Sequence, residues 1–276
     1  MKRILTAAVA LPILLFTVWS ETPYFFVALA AVGIVLALGE FYNLGAKAGC
    51  PTQPALGFVA ALLVVACFVI ERSEWIVAVI VALTMASLTL ALAKPDQIKK
   101  SLVTVAVTVS GVVYVAVLAG CLVGVRMMPD MLTTPLTPRL SSKLLLMFFA
   151  MVVFGDTGAY YTGRLIGRHK LAPRVSPGKT IEGAVGGLVA SIAAGPLSRL
   201  VFFHEIPIVH ALVLGALIGV LGPIGDLAES MLKRGAGVKD SGTLLPGHGG
   251  VLDRVDSILF CAPLLYYYSR LFISRM

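Results

Sequence analysis

Apolar residues run along this chain in long blocks, at roughly 4–20, 24–44, 55–70, 75–93, 101–124, 143–163, 182–203, 207–233 and 252–273. A helix that crosses a bilayer needs about 20 such residues. The pattern therefore predicts an all-α, polytopic integral membrane protein with about nine transmembrane helices. The 55–70 block is short, which suits a tilted or partly re-entrant segment. The segment 126–142, with Pro129, Pro135 and Pro138, reads as a connecting loop. Before it, residues 1–125 are apolar helices in which Glu40 is the one acid inside a span; after it, 143–276 carry the polar motifs.

Composition agrees with that division of polar and apolar positions. Of 276 residues 58% are hydrophobic and 13% charged, where a soluble domain carries about a quarter charged. Mean hydropathy is +0.95. The four cysteines, Cys50, Cys67, Cys121 and Cys261, are scattered and form no CxxC pair, so they read as packing residues, not as disulfide or zinc positions. Met1-Lys2-Arg3 and the apolar run behind it look like a signal peptide, yet Thr17-Val18-Trp19-Ser20-Glu21 has no A-x-A-like cleavage site. An uncleaved first helix is expected.

The net charge of +8 would suggest nucleic acid in a soluble protein. Here the basic residues sit in short loops between apolar blocks, the pattern of membrane orientation and of binding to anionic lipid or phosphate. With the N-terminus inside, roughly two thirds of the 22 Lys and Arg residues fall on the cytoplasmic side. These include Lys47, Lys99, Lys100, Arg164, Arg168, Lys170, Arg174, Lys179, Lys233 and Lys239. The N-terminus is thus expected in the cytoplasm and, with nine spans, the C-terminus outside.

Two polar stretches interrupt the hydrocarbon. In the first, Asp226, Ser230 and Lys233 are spaced by four and three and share one helix face, with Glu229 beside it. Across a glycine-rich loop, Asp253 and Asp256 are three apart on the next helix. Ionisable groups at membrane depth cost about 2.5–3.5 kcal/mol each, so four carboxylates need compensation. One reading is a divalent cation, Mg²⁺ or Mn²⁺ for an all-oxygen ligand set. The other is a structural ion-pair cluster with Lys233, Arg234, Lys239 and Arg254. The loop between, with Lys239, His248 and several glycines, suits close approach of backbone to a phosphate–metal complex.

The second stretch lies between the sixth and seventh blocks. Asp156 is an acid within a span and so a functional candidate. In Ser-Pro-Gly-Lys-Thr-Ile-Glu-Gly, Ser176, Lys179 and Thr180 precede Glu182 at a helix start. Such a start with a nearby lysine binds anions readily. Ser176 or Thr180 serving only as a cap is the plainer alternative, and the two are compatible.

Ser230, Lys233, Arg234, Lys239 and Asp240, followed by Pro246 to Gly250 and then Asp253, Arg254 and Asp256, follow the pattern S-x-x-K-R-x4-K-D, P-G-H-G-G, D-R-x-D. This resembles the signature of the phosphatidate cytidylyltransferases, and residues 176–183 look like that family's S-P-x-K-[ST]-x-E-G motif. The resemblance covers about 145–276; the first half matches only as apolar helices. It implies transfer of the cytidylyl group of CTP to phosphatidate, giving CDP-diacylglycerol and pyrophosphate, for phospholipid biosynthesis. Asp226, Lys239, Asp240, His248, Asp253, Arg254 and Asp256 would then be catalytic, with Asp226, Asp253 and Asp256 on Mg²⁺, with or without a second cation. Arg174, Ser176, Lys179, Thr180, Glu182, Ser230, Lys233 and Arg234 would bind substrate. The implied partners are CTP and phosphatidate in the bilayer, with no nucleic acid; a homodimer is compatible. The implied location is the inner (cytoplasmic) membrane.

Three rivals predict something different. A CTP-dependent lipid kinase, or a cytidylyltransferase acting on another lipid phosphate, would differ in its products. A secondary transporter would place acids near the midplane in two related halves, whereas these cluster near one face of the second half. A non-catalytic lipid-binding protein has no need of so many acids.

Overall fold

The computed structural model describes residues 2–93, 95–128, 139–244 and 249–273. Each of the nine apolar blocks forms a helix. In order they are α1 (Lys2–Trp19), α2 (Tyr24–Lys47), α3 (Pro54–Val69), α4 (Ile76–Leu92), α5 (Ser101–Gly111) running through a π-helical turn (Val112–Val117) into α6 (Leu118–Arg126), α7 (Leu140–Ile166), α8 (Ile181–Val201), α9 (Ile208–Gly235) and α10 (Leu252–Tyr268). Among the described residues, six helical stretches are long and apolar enough to cross a membrane: Tyr24–Lys47, Ser73–Leu92, Ile98–Arg126, Leu140–Ile166, Ile181–Val201 and Ile208–Gly235. That is fewer than the nine expected. The apolar helices Ala8–Trp19 and Pro54–Val69 are shorter, and α10, at 17 residues, opens on the charged Leu-Asp-Arg-Val-Asp.

The apolar surface faces outward. Leu92 is 82% exposed, Leu102 80% and Leu165 79%, and many other large apolar side chains join them. In water such a surface would drive association; in a bilayer it meets lipid. The chain is a multi-pass membrane protein.

The described residues are almost entirely helical, as expected, and carry one short two-stranded element. The polar stretch after α7 forms an antiparallel hairpin, β1 (Lys170–Ala172) and β2 (Ser176–Thr180), with Lys170 opposite Thr180 and Ala172 opposite Ser176. The Val175 amide donates to the Ala172 carbonyl at 3.1 Å. Pro173 then holds the second position of a β-turn, where its fixed φ is favourable.

Two compact units divide the chain, residues 1–127 with 232–255 and residues 128–231 with 256–276. In the first unit, α3 and α5 pack against Tyr42 of α2, whose hydroxyl donates to the Thr108 carbonyl at 2.9 Å. Gly57 and Gly111 leave room for its ring: a Cβ at Gly57 would stand 1.9 Å from the Tyr42 Oη. A polar set ties α3, α4 and α5 together. The Gln53 amide donates to Thr108 Oγ1 at 3.0 Å, and Ser87 Oγ donates to Gln53 Oε1 at 2.6 Å. Polar groups buried from lipid pair across helices in this way.

In the second unit, α7 and α8 meet through small residues. A Cβ at Gly158 would come 2.6 Å from the Ala190 Cβ, and one at Gly187 would come 2.9 Å from the Gly155 carbonyl oxygen. Ser191 Oγ donates to the Met151 carbonyl at 2.8 Å across the same contact. α9 enters through Gly215 and Gly219, and α10 packs its Asp256 and Phe260 against Gly225 of α9. Glycine at these positions lets backbones approach where a side chain would hold them apart. The four cysteines are free thiols, three of them buried, as packing residues would be.

Candidate functional site

In the second unit, β2 delivers its last residues to the start of α8. Thr180 is the N-cap: its Oγ1 accepts from the Gly183 amide at 3.1 Å. Glu182, in the first turn, accepts from the Arg168 and His169 amides at 3.1 and 3.2 Å and lies 2.6 Å from His169 Nδ1. Both residues are therefore engaged in fixing the hairpin to the helix. Lys179 serves neither purpose. Its ammonium lies 2.6 Å from Asp226 Oδ2 on α9. Ser230, one turn along α9, donates to Asp226 Oδ1 at 3.4 Å, the same-face relation that the spacing predicts. Ser176 stands half-buried on β2, and Arg174 stands exposed in the hairpin turn.

Asp156, on α7, interacts electrostatically with both Asp226 and Lys179. It faces a small cleft that Gly155, Ala159, Ser191, Gly222 and Pro223 also line. Two acids and one lysine thus converge from α7, β2 and α9. Because Gly225 admits the Asp256 backbone directly against α9, Asp256 is placed beside Asp226. Asp256 is half-buried, and its Oδ1 accepts from the Ser257 amide at 2.6 Å. Glu229, in the same helix, is fully buried and partnered.

In the first unit, α9 ends in a glycine cap. Gly237 has φ +70°, the Val238 amide donates to the Lys233 carbonyl and the Gly237 amide to that of Arg234. This is the hydrogen-bond pair of a Schellman motif. The chain that follows wraps around Asp253. The Lys233 ammonium lies 2.6 Å from Asp253 Oδ1. Oδ2 accepts from the Gly250 amide at 2.7 Å and the Ser241 amide at 3.0 Å, and the Ser241 hydroxyl oxygen lies 2.9 Å from it. Gly249, at φ +80°, sits against this carboxylate: a Cβ there would stand 2.6 Å from Oδ2 and would itself be strained.

Arg234, Lys239, Asp240 and Arg254 are exposed around this knot. The Arg234 guanidinium donates to the Val238 carbonyl at 3.1 Å. His248 lies outside the described residues.

One acid of this knot is absent from the sequence-derived site. Glu40, on α2, accepts from the Ser241 hydroxyl at 3.0 Å and from the Val251 and Leu252 amides at 3.0 and 2.8 Å. Its being the one acid of an apolar half was the available signal; its partners, some two hundred positions away, left none. The first half therefore contributes a polar residue to the loop, beyond the apolar helices expected of it.

Among the described residues no three acids, histidines or cysteines already surround a single point as metal ligands. Mg²⁺ does not require that. It is commonly bound by one or two carboxylates together with phosphate oxygens and water. The hard carboxylate oxygens of Asp226, Asp256 and Asp156 fit such an ion, while Asp253 is held by Lys233.

A model of the cytidylyltransferase family matches residues 1–272 of this chain. Phosphatidate cytidylyltransferase of Bacillus subtilis is 47% identical over 127 residues, 45% of this chain and 47% of the relative. The enzyme of the same name from Staphylococcus saprophyticus is 50% identical over 122 residues, 44% of this chain and 46% of its own. An uncharacterised Escherichia coli protein, YnbB, is 44% identical over 145 residues, 51% of this chain and 47% of the relative. The chain spans about half the length of the curated relatives it matches.

Proposed function

Because the chain belongs to the cytidylyltransferase family, we propose that it transfers the cytidylyl group of CTP to phosphatidate, releasing pyrophosphate and leaving CDP-diacylglycerol in the membrane. The observation that carries the reading is a pair of matched ion pairs, Lys179 with Asp226 and Lys233 with Asp253. Both lie within the stretches that carry the family motifs. An ammonium and a carboxylate at one place suit a metal–triphosphate complex: the first takes phosphate oxygen, the second a hard cation. One substrate is a water-soluble polyanion and the other is anchored in lipid, so the reacting phosphates meet where polar residues line the ends of apolar helices.

The reaction is an in-line displacement. A phosphatidate oxygen forms a bond to the α-phosphorus of CTP as the bond from that phosphorus to the bridging β-phosphate oxygen breaks. The electron pair leaves with pyrophosphate. A phosphate monoester has a second pKa of about 6, so the nucleophile is ionised near neutral pH and needs no protein base. What remains is positioning and charge neutralisation. Lys179, Arg174, Lys239 and Arg254 hold phosphates. Asp226 and Asp256 would hold Mg²⁺, with Asp156 in reach of Asp226; such an ion would supply positive charge against that developing on the leaving pyrophosphate. Asp253, paired with Lys233, organises the glycine-rich loop. The reading places the protein in the inner membrane, N-terminus in the cytoplasm, where CTP is present.

The test uses purified protein in detergent–phosphatidate micelles with Mg²⁺ and CTP labelled at the α-phosphorus. Label is expected in the lipid phase, with none transferred after EDTA and recovery on adding Mg²⁺. Label that reaches lipid only from γ-labelled CTP would mean a kinase. Full transfer in EDTA would remove the metal from the mechanism.

A further inference from the structure

Glu40 is a carboxylate 8% exposed, on an otherwise apolar helix. Its Oε1 takes the Val251 amide, and its Oε2 takes the Leu252 amide and the Ser241 hydroxyl. The first amides of a helix have no partner within the helix, and those of α10 are received here by a side chain from α2. The Ser241 hydroxyl also lies 2.9 Å from Asp253 Oδ2. Glu40, Ser241, Asp253 and Lys233 thus form one continuous polar chain. Backbone crowds the carboxylate from two sides: a Cβ at Gly242 would stand 2.5 Å from Oε1 and one at Gly250 2.3 Å from Oε2. The glycines of this loop are shaped to Glu40 as well as to any ligand. An ordinary cap needs only a hydroxyl or amide oxygen. Receiving two amides and a hydroxyl together needs both oxygens of a carboxylate.

We propose that Glu40 is a positioning residue for the transfer reaction. It fixes the first turn of α10, and through Ser241 the carboxylate of Asp253, so that Asp253 and Arg254 meet substrate in the productive geometry. This role rests on the transferase reading. It deepens that reading by tying the loop to a residue of the first half.

The variant Glu40→Gln keeps the size but offers one acceptor and turns an NH₂ group towards a helix amide. Glu40→Asp keeps the charge and shortens the reach. Ser241→Ala removes only the hydroxyl that links the two acids. Displacing a reacting group by about 1 Å can cost on the order of 100-fold in rate. Turnover per folded molecule is therefore expected to fall about 10- to 100-fold in Glu40→Gln, with partial recovery in Glu40→Asp and a smaller loss in Ser241→Ala. Folded protein is counted by gel filtration and thermal melt of the full-length chain in detergent. A purely structural role would lower the melt and leave turnover per folded molecule at the wild-type value. That result in Glu40→Gln would overturn the proposal; if Glu40→Gln does not fold, the same result in Ser241→Ala overturns it. The wild-type arm separates the two readings. No label passing from α-labelled CTP to lipid in that arm defeats the transferase reading itself, and this role with it.

Discussion

Lys179 and Thr180 are neighbours in sequence with separate duties. Thr180 closes the α8 N-terminus, and Lys179 reaches Asp226. Replacing Thr180 by Ala should cost about 1 kcal/mol of stability, seen as a lower melting temperature with kcat per folded molecule retained. Replacing Lys179 by Ala removes a cation from the proposed triphosphate site. A charged hydrogen bond is worth about 1.5–3 kcal/mol, or roughly ten- to 150-fold in kcat/KM at about 1.4 kcal/mol per factor of ten. Lys179→Arg should recover only part, since a planar guanidinium does not replace a compact ammonium. Wild-type kinetics in Lys179→Ala would return this stretch to the status of a helix cap. Both possibilities were visible in Ser-Pro-Gly-Lys-Thr-Ile-Glu-Gly. The stretch did not show which hydroxyl caps, or that Glu182 turns to the amides of Arg168 and His169, because those bonds depend on how the hairpin folds back.

At the scale of elements, the long apolar blocks were legible almost end to end, since a run of such residues has one stable form in lipid. The hairpin was not. Its strands are three and five residues long, and one of them carries a proline, so neither alternation nor length marks them. Nor was the latch that ties the start of α7 to the α8–α9 connection, where Lys143 pairs with Glu205 and lies over the Phe203 ring. Burial raises the Glu205 carboxyl pKa, but the hydrogen bond from Lys143, its own backbone, and the charges of Lys143 and His204 outweigh this and hold it below the usual carboxylate value. A lowered folded-state pKa stabilises above the ordinary carboxylate range of about 4.3 and ceases to do so as pH falls through the lowered value. Melting temperature should therefore be level between about pH 5 and 8 on account of this pair and decline below about 4. Glu205→Gln should lower the melt at neutral pH and flatten the acid limb. An unchanged acid limb in that variant would show that the latch does not contribute.

For the whole molecule, the proposed orientation rests on where the cations lie. With the N-terminus inside, the hairpin at 170–180 faces the cytosol and the connection near Glu205 faces out. Cys50 is the most accessible of the native thiols, so it is first replaced. A cysteine at 204 should then react with an impermeant maleimide in sealed cells, and one at 170 only after lysis. Ready labelling at 170 in intact cells would invert the topology and remove cytosolic access for CTP. Charge bias is what gives this orientation as an expectation. The knot around Asp253 was only half readable. Its local members, Lys233, Gly250 and Asp253, belong to one motif, while Glu40 belongs to none, and no periodicity links positions so far apart.

The bond between Glu40 and Ser241 has a consequence for descent as well as for chemistry. A carboxylate that fills a space left by two glycines and answers three donors at once tolerates change poorly at any one of those positions. Over time, positions 40, 241, 242 and 250 are expected to drift together or not at all. A chimera that joins the second half of one relative to the first half of another should function only when the incoming helix brings its own acid in register with that loop.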